Sequence, residues 1–471
     1  MLNKLLKSNI SYTYFGNLFI SALSFIRNIL IAKLINFDSY NNWVLVNTQT
    51  QYANNADLGI NNGALIKSLE KQGTNENDKI KEIITSTFAF ITLQLVIFII
   101  LISIFFDYIS STPYIKLIII FSLIVNTYTN YIALLLRLDD KFKELIFCQF
   151  FSVLFSIILI LFTWKIKFIE FNYISISYSI FIGLSLGFAY SILKNIKFFK
   201  FSLFSNKIIY SLLRKGSVLT INSFIFLMLL TLDRFFINNY FDENVVNIFN
   251  FASVFSVSLF MIPNSISNVI INKSLRDFNK LNKKILINTI FIIGIIFLIL
   301  NFFIIIGFNI VILNFLPIFT ESKNIFSIIL SSLSLLFFFN ISQILSIGEN
   351  ILNKTVLLNL FLIIIKFLSI YFLLDHGYIT TINSFCYFSL FYNLILCLIF
   401  FITQNIFSNN FIYDSKFIYN LTYIIFSMIF LSLMFSYNII FVLLNLINIL
   451  FICFLYYSKT IILIKKILVS Y

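Results

Sequence analysis

The chain has 471 residues, of which 60% are hydrophobic and 11% charged, with a net charge of +14. A soluble domain carries about 25% charged residues, so a set of soluble domains is excluded. At about 20 residues per membrane-spanning helix, the length accommodates about fourteen spans and leaves no room for a large domain outside the bilayer. Apolar runs bounded by charge or turn clusters place these spans near 10–35, 41–64, 84–106, 114–136, 145–164, 173–193, 216–240, 245–271, 285–308, 325–347, 355–374, 380–402, 417–435 and 438–457. The second, NNWVLVNTQTQYANNADLGINN from Asn41 to Asn62, is too polar to face lipid. It crosses only if it faces other helices or a water-filled cavity.

The basic residues then orient the chain. With the N-terminus in the cytoplasm, about 25 of the 33 Lys and Arg fall on the inner side and about 5 on the outer, as the positive-inside rule requires. An error of one helix in mid-chain would invert half of this pattern. Both termini are therefore expected in the cytoplasm, with an even number of helices. The positive charge reads as topology and not as a nucleic-acid surface. The most basic loop, 194–215, falls between helices six and seven, which suggests lobes of six helices at 1–200 and 201–403, followed by two extra helices at 404–471. A parallel internal repeat is in keeping with this division. Arg27 precedes Phe37-Asp38 and Arg234 precedes Phe241-Asp242, with spacings that differ by three residues.

Composition and motifs argue against reaction chemistry. The 62 Phe, the many Ile and Asn, the 11 Gly and the 3 Pro suit an AT-rich coding bias, which says little about function. Cys148, Cys386, Cys397 and Cys453 lie in apolar runs with no CxxC and read as buried thiols. The single histidine, His376, reads as a turn residue, and Asp139-Asp140 as a solvated pair flanked by bases. HExxH, Walker A, GxSxG and GxGxxG patterns do not occur, so no metal site or ATP site is expected. Active transport would then draw on a proton or sodium gradient. The first apolar run, Ser11 to Ile35, is too long for a signal-peptide core and carries Arg27.

Five ionisable residues fall at membrane depth: Arg27, Asp57, Asp233, Arg234 and Lys366. Each costs about 2.5–3.5 kcal/mol at a helix centre on insertion scales, so each is expected to face a bundle interior, a cavity or an opposite charge. Snorkelling for Arg27, a local or interhelical ion pair for Arg234, and pairing to a carboxylate with no transport role for Lys366 are the bland alternatives. Asp57 also suits a turn at Asp57-Leu58-Gly59, since Asp before Gly favours one. Three cations against few anions make an electropositive interior, fitted to a phosphate-bearing or acidic substrate.

Three segments carry a family resemblance. The run from Ile26 through Arg27 to Asp38 and Trp43 resembles the first-helix signature of O-antigen and capsule polysaccharide flippases. Asp57-Leu58-Gly59-Ile60-Asn61-Asn62-Gly63-Ala64 is similar to their segment closing helix two. The run from Thr231 to Phe249, with Leu232-Asp233-Arg234 at its head, is similar to their helix-seven pattern. Asn41 stands where the family often has Gly.

The resemblance implies the fold of the multidrug/oligosaccharidyl-lipid/polysaccharide exporter (MOP) superfamily: an all-α polytopic membrane protein with two six-helix lobes in a V around a central cavity. It further implies alternating access, a bacterial inner membrane, and undecaprenyl-diphosphate-linked oligosaccharide as substrate. A polysaccharide polymerase and a chain-length regulator are the implied partners. Arg27, Arg234 and Lys366 would engage the diphosphate or acidic sugars, and Asp57 or Asp233 would couple an ion. Asn47, Gln51 and Asn54 on helix two, with Gln49 and Asn55, would meet sugar hydroxyls or else bond other helices. Lipid II and teichoic-acid-type exporters are the nearest alternatives. An O-antigen polymerase or ligase is the alternative of another class, but it needs a substantial outer loop that is missing here.

Overall fold

The computed structural model describes residues 9–53, 57–72, 76–105, 113–166, 171–196, 199, 205–258, 301, 303–348 and 352–407. Asn54 and the two spans expected at 417–435 and 438–457 lie outside the described residues. The protein is an all-helical polytopic membrane protein. In chain order the helices are α1 (Asn9–Leu34), α2 (Phe37–Ala53), α3 (Ile60–Gln72), α4 (Asn77–Phe105), α5 (Pro113–Leu138), α6 (Phe142–Lys165), α7 (Tyr173–Lys194) and α8 (Asn206–Tyr240). They continue with α9 (described over 243–258), α10 (Phe303–Phe315), α11 (Ser322–Gly348), α12 (Leu352–Asp375) and α13 (Ile382–Phe407). Among the described residues, eight of these are long and apolar enough to cross a membrane.

Local chemistry accounts for the helix ends. Asn172 caps α7 by accepting from the backbone N–H groups of Ile174 (3.0 Å) and Ser175 (3.2 Å), while Ser175 Oγ accepts from the Asn172 N–H at 3.1 Å. This reciprocal capping box satisfies donors that a helix start leaves bare. Asp140 ends α5 with φ +56, and the N–H of Lys141 reaches the carbonyl of Leu136 at 2.8 Å, the six-to-one bond of a Schellman cap. The exposed Asp139-Asp140 pair is thus a turn, with Lys141 ion-paired to Asp139. His376 is exposed beyond α12, its Nδ1 3.0 Å from the carbonyl of Phe372, a cap on that helix's last turn.

Two expected boundaries are corrected. The second span is not one helix: α2 is described to Ala53, a turn occupies Asp57-Leu58-Gly59, and α3 begins at Ile60. Leu58 (φ +48) and Gly59 (φ +87) are both left-handed, a conformation the α-helix cannot include. Asp57 fixes the turn, one carboxylate oxygen accepting from the Gly59 N–H and the other from the Asn61 amide, each at 3.0 Å. The seventh span begins at Asn206 and not at 216. Lys207, Arg214 and Lys215 belong to α8, because Lys and Arg are good helix formers and charge alone does not mark a helix boundary.

The chain divides into two compact units, the first Thr13–Leu227 and the second Met228 onward together with the residues up to Tyr12, so that one cut falls inside α1 and the other inside α8. In the first unit, small residues let backbones meet. A Cβ added at Gly183 would stand 2.6 Å from Ser156 N, and one at Gly187 2.1 Å from Ser152 Oγ, so α6 and α7 pack through a Ser-xxx-Ser against Gly-xxx-Gly crossing. The first part of α8 crosses α3 in the same way. A Cβ at Gly216 would fall 1.9 Å from the carbonyl oxygen of Gly59, and one at Gly63 2.1 Å from that of Leu212. Asn62 donates to Thr220 at 3.2 Å and Lys215 pairs with Glu70 at 2.6 Å across this crossing.

The second unit is built on aromatic packing. Phe251 of α9 stacks on Phe319 with centroids 3.9 Å apart, and Phe308 of α10 stacks on Phe326 of α11 at 3.6 Å. Polar side chains join α11 to α13, where Asn393 donates to Ser332 at 2.7 Å and the Cys397 thiol to the Leu335 carbonyl at 3.0 Å. Cys148, Cys386 and Cys397 are buried free thiols; Cys453 lies outside the described residues.

Candidate functional site: buried charges in the transmembrane helices

The second unit holds a small cavity of about 20 Å³ among α8, α9, α11 and α13, with Asp233, Ser253, Ser332, Cys386, Ser389 and Asn393 as its polar lining. Three of these lie on α13 at spacings of three and four residues, and so share one face of the helix. That polar stripe on an otherwise apolar segment was legible in the sequence and was not singled out there.

Asp233 and Arg234 are neighbours on α8, so the helical turn of about 100° per residue sends them to different partners. Asp233 turns to α12 and α13. Its Oδ1 lies 2.9 Å from Lys366 Nζ, and its Oδ2 accepts from Ser389 Oγ at 2.5 Å. The same Ser389 oxygen accepts from Lys366 Nζ at 3.1 Å, which closes a triangle of ammonium, hydroxyl and carboxylate. Arg234 turns to α9, where its Nε and one terminal nitrogen donate to Ser253 Oγ at 3.0 and 2.9 Å.

Burial within the triangle is unequal. The Lys366 side chain is 0% exposed and that of Asp233 is 16% exposed. Asp233 lines the cavity and Lys366 does not. The face presented to the cavity is therefore a carboxylate with hydroxyls and an amide, with the cation one hydrogen bond behind it.

In the first unit, Arg27 is half-buried on α1. Its terminal nitrogen reaches Ser156 Oγ of α6 at 3.4 Å, and its buried Nε has no hydrogen-bond partner among the described residues. No carboxylate pairs with it among the described residues. The hydroxyl it meets already donates to the Val153 carbonyl at 2.7 Å. A line of buried polar residues runs down the same helix through Thr13, Asn17, Ser21, Ser24 and Asn28, a helical-period signal the sequence reading also passed over.

Asp57 opens on a smaller space of about 10 Å³ lined with Gln94 and Thr127 among apolar residues. Asn47 and Gln51, one turn apart on α2, are half-buried. Neither side chain has a hydrogen bond among the described residues, whereas the neighbouring hydroxyls of Thr48 and Thr50 back-bond to the carbonyls of Val44 and Asn47, each at 2.8 Å.

The two arginines occupy similar places in their helices. Arg27 is seven residues before the end of α1, and Arg234 six before the end of α8. The three-residue difference in the sequence arises elsewhere: Phe37-Asp38 lies in the first turn of α2, but Phe241-Asp242 lies in the connection before α9. Thus Arg27 belongs to the first unit, and Asp233, Arg234 and Lys366 to the second, where Asp233 pairs with Lys366 and Arg234 bonds Ser253.

No family model matches the chain, and no curated protein matches it. Solved structures do match. A point mutant of the Vibrio cholerae MATE transporter VcmN is 12% identical, with a TM-score of 0.63 over 86% of this chain and 97% of that one. A multidrug resistance MATE family transporter of the MOP superfamily matches in its outward-facing conformation, with 13% identity and a TM-score of 0.59 over 86% and 97% of the two chains. An inward-facing conformation matches with 16% identity and a TM-score of 0.59 over 82% and 93%. The chain has the MATE fold. That fold places α8, with Asp233 and Arg234, in a membrane protein whose solved examples adopt both inward- and outward-facing conformations. At these identities the likeness concerns fold, and the substrate has to be argued from the side chains.

Proposed function

We propose that this protein is a flippase for a phosphate-linked glycolipid, carrying undecaprenyl-diphosphate-linked oligosaccharide across the bacterial inner membrane by alternating access, with both termini in the cytoplasm. The observation that carries this reading is Arg27, a half-buried guanidinium in a membrane helix whose one hydrogen bond among the described residues is to a hydroxyl at 3.4 Å. A buried charge without a counter-charge is strongly destabilising, and a phosphate would supply one in the bidentate geometry that guanidinium favours. Asn47 and Gln51, half-buried and without hydrogen bonds among the described residues, suit the hydroxyls of a sugar. Asp57 and Asp233 are the carboxylates available for coupling to a proton or sodium gradient.

A second reading has its own observation. The carboxylate of Asp233 faces the cavity of the second unit, as an exporter of organic cations would require, and two of the structural matches are multidrug resistance transporters. Complementation separates the two. In a strain lacking its repeat-unit flippase, the wild-type gene is expected to restore surface polysaccharide and Arg27→Ala to fail while still reaching the membrane. Restored drug efflux with no polysaccharide would establish the cation reading instead.

A further inference from the structure

The triangle of Lys366, Ser389 and Asp233 is asymmetric in a way that assigns its members different tasks. Lys366 is wholly enclosed, so its ammonium needs an anion at all times. Asp233 is not: its carboxylate borders the cavity and can be hydrated there once released. The lysine therefore cannot lose a partner, but the carboxylate can. Among the described residues, the charged groups meeting here are Asp233 and Arg234 on α8 and Lys366 on α12; α13 adds Ser389 and the Cys386 thiol, α9 adds Ser253 and α11 Ser332.

We propose that Asp233 is an exchangeable counter-ion, which holds Lys366 while the cavity is empty and yields it to a phosphate group when substrate enters. This rests on the glycolipid reading above and deepens it. The exchange makes the cavity selective. An arriving phosphate takes over the ammonium through a short shift of a flexible four-carbon stem, with Ser389 Oγ, already bonded to both groups, handing one to the other. An arriving organic cation gains little, because the carboxylate it meets is already neutralised by Lys366. The displaced carboxylate is left beside a phosphate, and this like-charge contact favours release of the substrate and return of the pair. A site with Lys366 alone would bind and hold; the site with Asp233 binds and lets go.

The test uses the purified full-length protein with geranyl diphosphate, inorganic diphosphate and geranylamine as probes. Asp233→Asn removes the competitor for Lys366, and geranyl diphosphate is expected to bind about tenfold more tightly than to wild type, since the binding-competent state no longer has to displace an ion pair. Lys366→Gln is expected to lose diphosphate binding by about tenfold and to gain geranylamine binding, the freed carboxylate now facing the cavity. The proposal is overturned if Asp233→Asn binds geranyl diphosphate no more tightly than wild type, or if Lys366→Gln binds it as wild type does. Should Asp233→Asn fail to reach the membrane, Lys366→Gln decides alone, since it leaves behind a carboxylate that the cavity can hydrate. The inorganic probe separates the sources of phosphate. Binding at least tenfold weaker than geranyl diphosphate supports a lipid-linked substrate; equal binding keeps the counter-ion exchange and overturns the glycolipid reading.

Discussion

Arg27 and Ser156 meet at 3.4 Å, near the outer limit of a hydrogen bond, and nothing else among the described residues bonds the guanidinium. Their contact joins α1 to α6 without holding them together, since α6 is anchored on α7 by the Gly183 and Gly187 crossing and by Glu144, which accepts from Ser191 at 2.9 Å and from Lys194 at 3.0 Å. Arg27→Ala breaks only this long bond and removes a charge that has no counter-charge, so it is expected to leave stability unchanged or raised and still to abolish polysaccharide display. Arg27→Lys keeps the charge but not the fork and is expected to restore display only in part. Membrane abundance and surface polysaccharide are the two measurements, and full display with Arg27→Ala would remove this residue from the substrate path.

The unequal burial of Lys366 and Asp233 sets an order of damage. Asp233→Ala leaves an ammonium with no exposure and no carboxylate, and is expected to cost about 3–5 kcal/mol. Lys366→Ala leaves a carboxylate that the cavity can hydrate, and is expected to cost less. The double replacement Asp233→Leu with Lys366→Met substitutes apolar contact for the pair and is expected to recover most of the stability. Thermal unfolding of the four proteins in one detergent measures this order. Equal losses in the two single variants would mean that the carboxylate is as enclosed as the lysine.

Legibility in the sequence divides along physical lines. The spans 173–193 and 355–374 become α7 and α12 nearly unchanged, because an apolar run ending in turn or charged residues is how a membrane helix is built. The interruption of the second span was half visible: Asp57-Leu58-Gly59 has turn chemistry, but hydropathy does not register a break between two polar segments. Lys366 and Asp233 were each conspicuous by the cost of charge at membrane depth. Their pairing was not, since it joins helices 133 residues apart in sequence through packing that no local pattern encodes. The stripe of Cys386, Ser389 and Asn393 was readable from its spacing alone, yet small polar residues in membrane helices more often back-bond to their own carbonyls and so draw little notice.

Asn47 and Gln51 give a prediction of the opposite kind to the ion pair. Their side chains hold no hydrogen bond among the described residues, so the fold does not depend on them. Asn47→Leu and Gln51→Leu are expected to leave unfolding temperature within the ±0.5 kcal/mol typical of substitutions that break no contact, roughly a degree or two, while lowering polysaccharide display. A clear loss of stability would make these residues part of the packing of α2 and remove the reason for assigning them to a sugar.

The glycine contacts of α3 and α8 make the last prediction, and α10 supplies its control. Gly63 and Gly216 stand where an added Cβ would fall 2.1 Å and 1.9 Å from backbone oxygens of the opposing segment. Backbone cannot turn aside as a side chain does, so Gly63→Ala and Gly216→Ala force α3 and α8 apart. Each is expected to cost at least the 1–3 kcal/mol or so of an overpacked core, and to weaken the bond from Asn62 to Thr220 and the pair of Lys215 with Glu70. Gly307 of α10 has nothing within 4 Å of its would-be Cβ, and Gly307→Ala is expected to stabilise by roughly 0.5–1 kcal/mol through helix propensity alone. The three variants carry the same chemical change, so their ranking by unfolding temperature isolates the closeness of the backbones. Should Gly63→Ala and Gly216→Ala behave like Gly307→Ala, the two helices do not meet at their glycines, and the crossing of α3 with α8 is wrong.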